Sequence, residues 1–200
     1  MPKSILIAGA TGKTGRILTR DLLDQGHEVT ALVRDSSDTG ALPEGAKLRQ
    51  GDLANLQPGV CDGADVVVFA AGSGGSTGPE MTEKVDRQGA IRLVDLARDA
   101  GVERFVMLSS IGADQTDPSG KLAHYLKAKH DADEHLKSSG LTYAILRPVA
   151  LTDAGRSAEV VLGDEVNVSA EATRADVAAV LCTAATSGTL DGQAVNMQSA

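Results

Sequence analysis

The stretch SILIAGATGKTGR, residues 4–16, limits the possible folds more than any other. An apolar run from Ile5 to Ala8 meets three glycines, Gly9, Gly12 and Gly15, in the spacing GxxGxxG. Beyond them, Ile17, Leu18, Leu22 and Leu23 recur at helical spacing between Lys13 and Gln25. A short buried strand, a glycine turn and an amphipathic helix, in that order, begin a parallel sheet. The same turn suits a phosphate. Without a Cβ in the way, backbone N–H groups and a helix N-terminus can approach an anion closely. Thr11, Lys13 and Thr14 lie between the glycines and share this cofactor-binding expectation. The competing reading is a tight strand-to-helix turn that holds nothing.

The rest of the chain repeats the rhythm. HEVTALV, KLRQGD, DVVVFAAG, RFVMLSS, TYAILRPV and QAVNMQ read as strands. DVVVFAAG is the clearest, an uninterrupted apolar run of the kind buried on both faces of a parallel sheet. Helices are expected over Met81 to Ala100, over about Gly120 to Ser138 (ended by Gly140), and over RADVAAVLCTAAT. Residues 35–45, rich in Ser, Asp, Gly and Pro, read as loop, and LANLQPGV as a short helical turn. AEVVLGDEVNVS allows two short strands around Gly163 and Asp164. The expected architecture is α/β: a Rossmann-type, doubly wound, mostly parallel sheet with helices on both faces. Residues 1–200 would form one dinucleotide-binding domain, with a small substrate-side portion at about 148–175.

The end of the second strand bears on cofactor choice. An acid there would hold the ribose 2′-OH of NAD, whereas an arginine suits the 2′-phosphate of NADP. The sequence reads LVRD, with Arg34 ahead of Asp35, and Lys13 adds a cation in the loop. NADP(H) is therefore preferred, with NAD(H) possible. Arg34 could also be a plain surface charge.

The stretch HYLKAKHDAD, residues 124–133, carries a second signal. Leu122, Tyr125, Lys129, Ala132 and Leu136 follow the spacing of one helix face, so a tyrosine and a lysine fall on the stripe that should turn inward. Carbonyl reduction needs a hydride and a proton. A tyrosine can give the proton, and an ammonium one helical turn away stabilises the phenolate that remains. A serine hydroxyl can hold the substrate oxygen. The bland alternative is a packed tyrosine beside a snorkelling lysine. Asp86 poses a similar question. It shares a stripe with Ala90, Leu93 and Ala97 and so would face inward, where it could orient a water or Lys129. Otherwise it is an exposed acid near a helix start.

Taken together, GxxGxxG, the β-α rhythm and YLKAK resemble the short-chain dehydrogenase/reductase superfamily. The closest likeness is to small atypical members of NAD(P)-dependent epimerase/dehydratase type, over roughly residues 3–150. The resemblance implies catalytic roles for Tyr125 and Lys129, with Lys129 also holding the nicotinamide ribose, and for Ser110, with Ser109 as a second candidate. It aligns Asp86 with the position where the family often has asparagine, which leaves the standard proton relay open. It further implies that Asp52 and Leu53 lie by the adenine. Ala70, Ala71 and Gly72 would let the cofactor pass over the fourth strand, and Arg147 and Pro148 would lie near the nicotinamide.

Net charge of −8 argues against a general nucleic-acid binder. The two cysteines, Cys61 and Cys182, and the four histidines make no metal-ligand spacing, so no metal is expected. No run approaches the roughly 20 apolar residues of a membrane span, and the N-terminus lacks a signal-peptide pattern. A soluble cytoplasmic monomer or homodimer acting on a small molecule is expected. Three functions compete: an NADP-dependent oxidoreductase acting on a small carbonyl, quinone or flavin-like substrate; an NADPH-binding sensor without turnover; and a sugar-nucleotide epimerase or dehydratase. The intact YxxxK favours an enzyme. The roughly 50 residues after the sixth strand are few for the substrate domain of extended members.

Overall fold

The computed structural model describes residues 1–73, 78–157 and 159–200. The chain begins β1 (Ser4–Ala8), α1 (Lys13–Asp24), β2 (Glu28–Val33), β3 (Lys47–Gln50) and β4 (Val66–Phe69). It continues with α2 (Pro79–Met81), a widened π-helical stretch (Thr82–Gly89), α3 (Ala90–Asp99), β5 (Arg104–Leu108) and α4 (Ala123–Ser138). Then come β6 (Thr142–Pro148), β7 (Ala150–Thr152), β8 (Val160–Leu162), β9 (Glu171–Thr173), α5 (Arg174–Ser187) and β10 (Gln193–Ser199).

Eight strands form one sheet in the order β3-β2-β1-β4-β5-β6-β10-β8. Every pairing is parallel except β8 on β10. The central strands explain this. Ile5 to Ala8 and Val66 to Phe69 have both faces closed off from water, which only a sheet with helices on both sides allows. On one face, Leu18 and Leu22 of α1 and Val177 and Leu181 of α5 pack on Ile5, Ile7, Val66 and Val68. On the other, Leu93 and Val94 of α3 and Leu136 of α4 pack on Leu6, Val67, Phe69 and Phe105. Each fully buried Leu or Phe contributes about 1.5–3 kcal/mol, so these two layers are the main source of stability. The order reverses between β1 and β4, which opens a crevice above their C-terminal ends, where such sheets bind ligands.

Four segments differ from expectation. The helix before β5 begins at Pro79 and widens over Thr82–Gly89. Gly89 lies so close to the Leu53 turn that a Cβ would sit 2.7 Å from the Leu53 carbonyl oxygen. Helix α4 begins at Ala123, because Gly120 takes a positive φ and residues 120–123 form a turn. Leu122 therefore leaves the inward stripe and is 61% exposed. Only one of the two strands proposed in AEVVLGDEVNVS forms, β8. Ala158 lies outside the described residues; Gly163 turns the chain, and Val168 is exposed in a turn. Finally, β7 and β9 form a small parallel pair of their own, which the sequence pattern did not reveal.

Candidate active site

Two adjoining cavities fill the crevice. The first, about 320 Å³, is lined by residues including Gly9, Thr11, Gly12, Arg34, Asp52 and Leu53. The second, about 640 Å³, includes Lys13, Thr14, Asp86, Ser109, Tyr125 and Lys129. Gly12, Ala70, Ala71, Gly72 and Ser73 line both, so the two form one elongated cleft across the switch point.

The floor of the cleft is built for close approach. Gly9 has φ +91°, and a Cβ there would lie 2.5 Å from the Ala71 nitrogen. At Gly15 a Cβ would lie 2.0 Å from the Gly9 carbonyl oxygen, so this glycine closes the turn; it is buried beneath the loop. Gly12 caps α1 with no side-chain acceptor for the first N–H groups of the helix. Those donors are available to an anion in the cleft. The cradle and the elongated shape fit a dinucleotide, its phosphates over Gly9–Gly12. Asp52 caps the turn at Leu53–Asn55 by accepting from Ala54 N at 2.9 Å. Arg34 is exposed at the rim of the first cavity, and among the described residues its guanidinium has no ion-pair partner. Lys13 points the other way. It lines the second cavity and pairs with Asp153, so the loop lysine is not beside Arg34.

Tyr125 and Lys129, one helical turn apart on α4, both face the second cavity. Lys129 is 2% exposed. Its Nζ donates to the Leu108 carbonyl at 3.3 Å, faces Asp86 Oδ1 at 3.3 Å, and lies 5.7 Å from the Tyr125 ring centroid. Burial alone would lower the Lys129 pKa. The negative charges available at Tyr125, Asp86 and Asp133 outweigh it and hold the ammonium above its ordinary value. Asp86 is fully buried, and its Oδ2 accepts from Ser73 N at 3.0 Å. The widened helical stretch that presents it is a kind of irregularity often found at functional sites.

Of the two serines after β5, Ser109 lines the cavity. Ser110 is not among the lining residues, and its hydroxyl donates to the neighbouring Ile111 carbonyl at 3.3 Å. Ser109 donates to Asp133 Oδ2 at 2.9 Å. Asp133 is a buried acid that sequence reasoning missed, although its four-residue spacing from Lys129 was a signal. Burial raises the Asp133 pKa despite the opposing pull of Arg147. Arg147 reaches Asp133 Oδ2 through Nε and Nη2, each at 3.0 Å. That buried pair takes Arg147 behind the site, and neither Arg147 nor Pro148 is among the residues lining the two cavities. The described residues contain no cluster that could hold a metal ion.

Comparison with known proteins agrees with this cradle. The NAD(P)H-binding family matches residues 9–187. The uncharacterized sugar epimerase YhfK of Bacillus subtilis is 37% identical over 155 residues, covering 74% of this chain and 72% of that one. A photosystem II assembly factor, Ycf39 of Cyanophora paradoxa, is 34% identical over 148 residues, covering 72% of this chain and 44% of its own length. A Bacillus halodurans structure, provisionally described as an NAD-dependent epimerase/dehydratase, superposes with a TM-score of 0.92 at 33% identity, covering 99% of this chain and 94% of that one. The glycine cradle, the strand order and these relatives agree: the chain belongs to the NAD(P)H-binding family, within the atypical short-chain dehydrogenase/reductases.

Proposed function

We propose that the protein is an NADP(H)-dependent oxidoreductase that reduces a small carbonyl, quinone or flavin-like substrate. The observation that carries this reading is the placement of Tyr125 beside a buried, charged Lys129 on the wall of the larger cavity. NADPH, when bound, supplies the hydride. The Tyr125 hydroxyl gives a proton to the substrate oxygen, and the Lys129 ammonium stabilises the resulting phenolate until solvent reprotonates it. Asp86 keeps Lys129 charged and in place. Ser109, anchored on Asp133, fixes one edge of the substrate site. Arg34 at the rim of the first cavity supports the preference for NADP(H).

The experiment is a reduction assay over a panel of aldehydes, ketones, quinones and flavins. Tyr125→Phe is expected to abolish turnover while leaving NADPH affinity unchanged. Full activity in that variant would sink the reading. The Ycf39 relative favours a second reading, an NADPH-binding regulator without turnover. A panel with no substrate turned over, alongside NADPH-dependent binding of a protein partner, would favour it. The epimerase name of the YhfK relative suggests a third outcome, conversion of a sugar nucleotide without net NADPH consumption.

A further inference from the structure

We propose that the substrate of this site bears an anionic group, a carboxylate or phosphate, which Arg174 and Lys121 recognise. This rests on the reductase reading above and names the substrate class for its larger cavity. The lining of that cavity includes four permanent cations, Lys13, Lys121, Lys129 and Arg174, and among the described lining residues one carboxylate, Asp86. Lys129 and Asp86 face each other out of solvent and neutralise one another. Among the described residues the other three cations have one counter-ion between them. Asp153, which is not among the lining residues, takes Arg174 Nη1 on Oδ1 at 2.6 Å and Lys13 on Oδ2. Among the described residues Lys121 has no ion pair. The wall thus keeps an excess positive charge in a chain whose net charge is −8.

These cations divide by position. Lys13 follows Gly12, which both cavities share, so it lies on the path of the cofactor phosphates. Arg174 and Lys121 line only the larger cavity. Arg174 spends one guanidinium nitrogen on Asp153, and Nε and Nη2 have no protein acceptor among the described residues. A guanidinium with free donors in a fixed plane suits a carboxylate or phosphate better than a neutral group. Leu108, Leu122 and Leu151 supply apolar wall nearby. The pocket therefore fits a molecule with an apolar body, an oxygen to be reduced near Tyr125, and an anionic end near Arg174 and Lys121.

The test uses matched probes. Protein saturated with NADP⁺ is titrated calorimetrically with benzoate and with its neutral isostere benzamide. With NADPH, kcat/KM is measured for 4-carboxybenzaldehyde and for its methyl ester. Benzoate is expected to bind about tenfold more tightly than benzamide, the scale of one hydrogen bond to a charged group. The acid should lead its ester in kcat/KM by a similar ratio. Arg174→Gln and Lys121→Gln should each shrink both ratios, and Arg174→Lys should retain part of them. Should Arg174→Gln fail to fold, Lys121→Gln, on an exposed turn, still decides. Equal binding of benzoate and benzamide would overturn the proposal, as would a benzoate preference that survives both Gln variants. Benzoate binding that competes with NADPH would also overturn it, because the anion would then occupy the cofactor-phosphate path. If neither these aldehydes nor any member of the wider panel is reduced, but benzoate is preferred and the variants lose that preference, the reductase reading fails and the anion site stands.

Discussion

Lys129 Nζ lies 3.3 Å from Asp86 Oδ1, and both side chains are closed off from solvent. An ammonium and a carboxylate at that depth depend on each other, because removing one leaves the other charged and desolvated. Asp86→Leu should therefore destabilise the protein by about 3–5 kcal/mol. Adding Lys129→Met should recover much of that loss, because the stranded charge is gone. Urea unfolding of the two single variants and the double variant closes the cycle. Additive losses would mean that the two residues do not act as a pair.

A second buried acid gives a pH signature. Burial raises the Asp133 pKa from its ordinary 3.8 even though Arg147 opposes the shift. The folded state therefore holds this proton more tightly than the unfolded chain. The contribution of Asp133 to stability is most favourable at acid pH, and declines as pH rises from 3.8 through the folded-state value. Other carboxylates titrate in the same range, so the informative quantity is the difference between wild type and Asp133→Asn. That difference should move against the wild type as pH rises above 3.8, where the unfolded chain gives up the proton that the folded state still holds. Parallel stability curves would show that Asp133 does not titrate differently on folding.

The two acids also show what the sequence made legible. The buried runs of β1 and β4 and the spacing of Gly9, Gly12 and Gly15 imply the parallel sheet and its cradle, because burial on both faces and Cβ clashes leave few alternatives. The four-residue step from Tyr125 to Lys129 places both on the cavity wall for the same geometric reason. Other features depend on tertiary detail. Past the end of β5, strand alternation no longer dictates which of Ser109 and Ser110 faces the cleft; the backbone there decides it. Asp131 and Asp133 look alike in sequence, yet Asp131 pairs with Arg87 and Lys127 at the surface while Asp133 is buried against Arg147. The widening over Thr82–Gly89 leaves the apolar spacing of a normal helix, so no pattern announces it.

The cradle itself can be tested at Gly9. A Cβ there would meet the Ala71 nitrogen at 2.5 Å and the Ala70 carbonyl oxygen at 2.6 Å, and its φ of +91° disfavours any side chain. Both contacts are backbone, so neither can swing away. Gly9→Ala should destabilise the protein by more than the ~1–2 kcal/mol of the left-handed conformation alone, and should push β1 and β4 apart beneath the cleft. Thermal unfolding and NADPH titration on the folded fraction read the two effects. Wild-type stability and affinity together would mean that the β1 turn does not set the floor of the site.

Arg34 offers the sharpest test of cofactor choice. It stands at the C-terminal end of β2, on the rim of the first cavity, without an ion-pair partner among the described residues. NADPH and NADH differ by the 2′-phosphate, so a residue that reads this group must affect one far more than the other. A hydrogen bond to a charged group is worth about 1.5–3 kcal/mol, so Arg34→Ala should weaken NADPH by about 10- to 100-fold. NADH affinity should change little. Arg34→Lys keeps the charge but loses the planar fork, so it should fall between the two. Fluorescence titration of both nucleotides against the three proteins measures this directly. Equal losses for NADPH and NADH would place Arg34 outside the 2′-phosphate site, leaving Asp35, its neighbour in the sequence, as the candidate for reading the ribose.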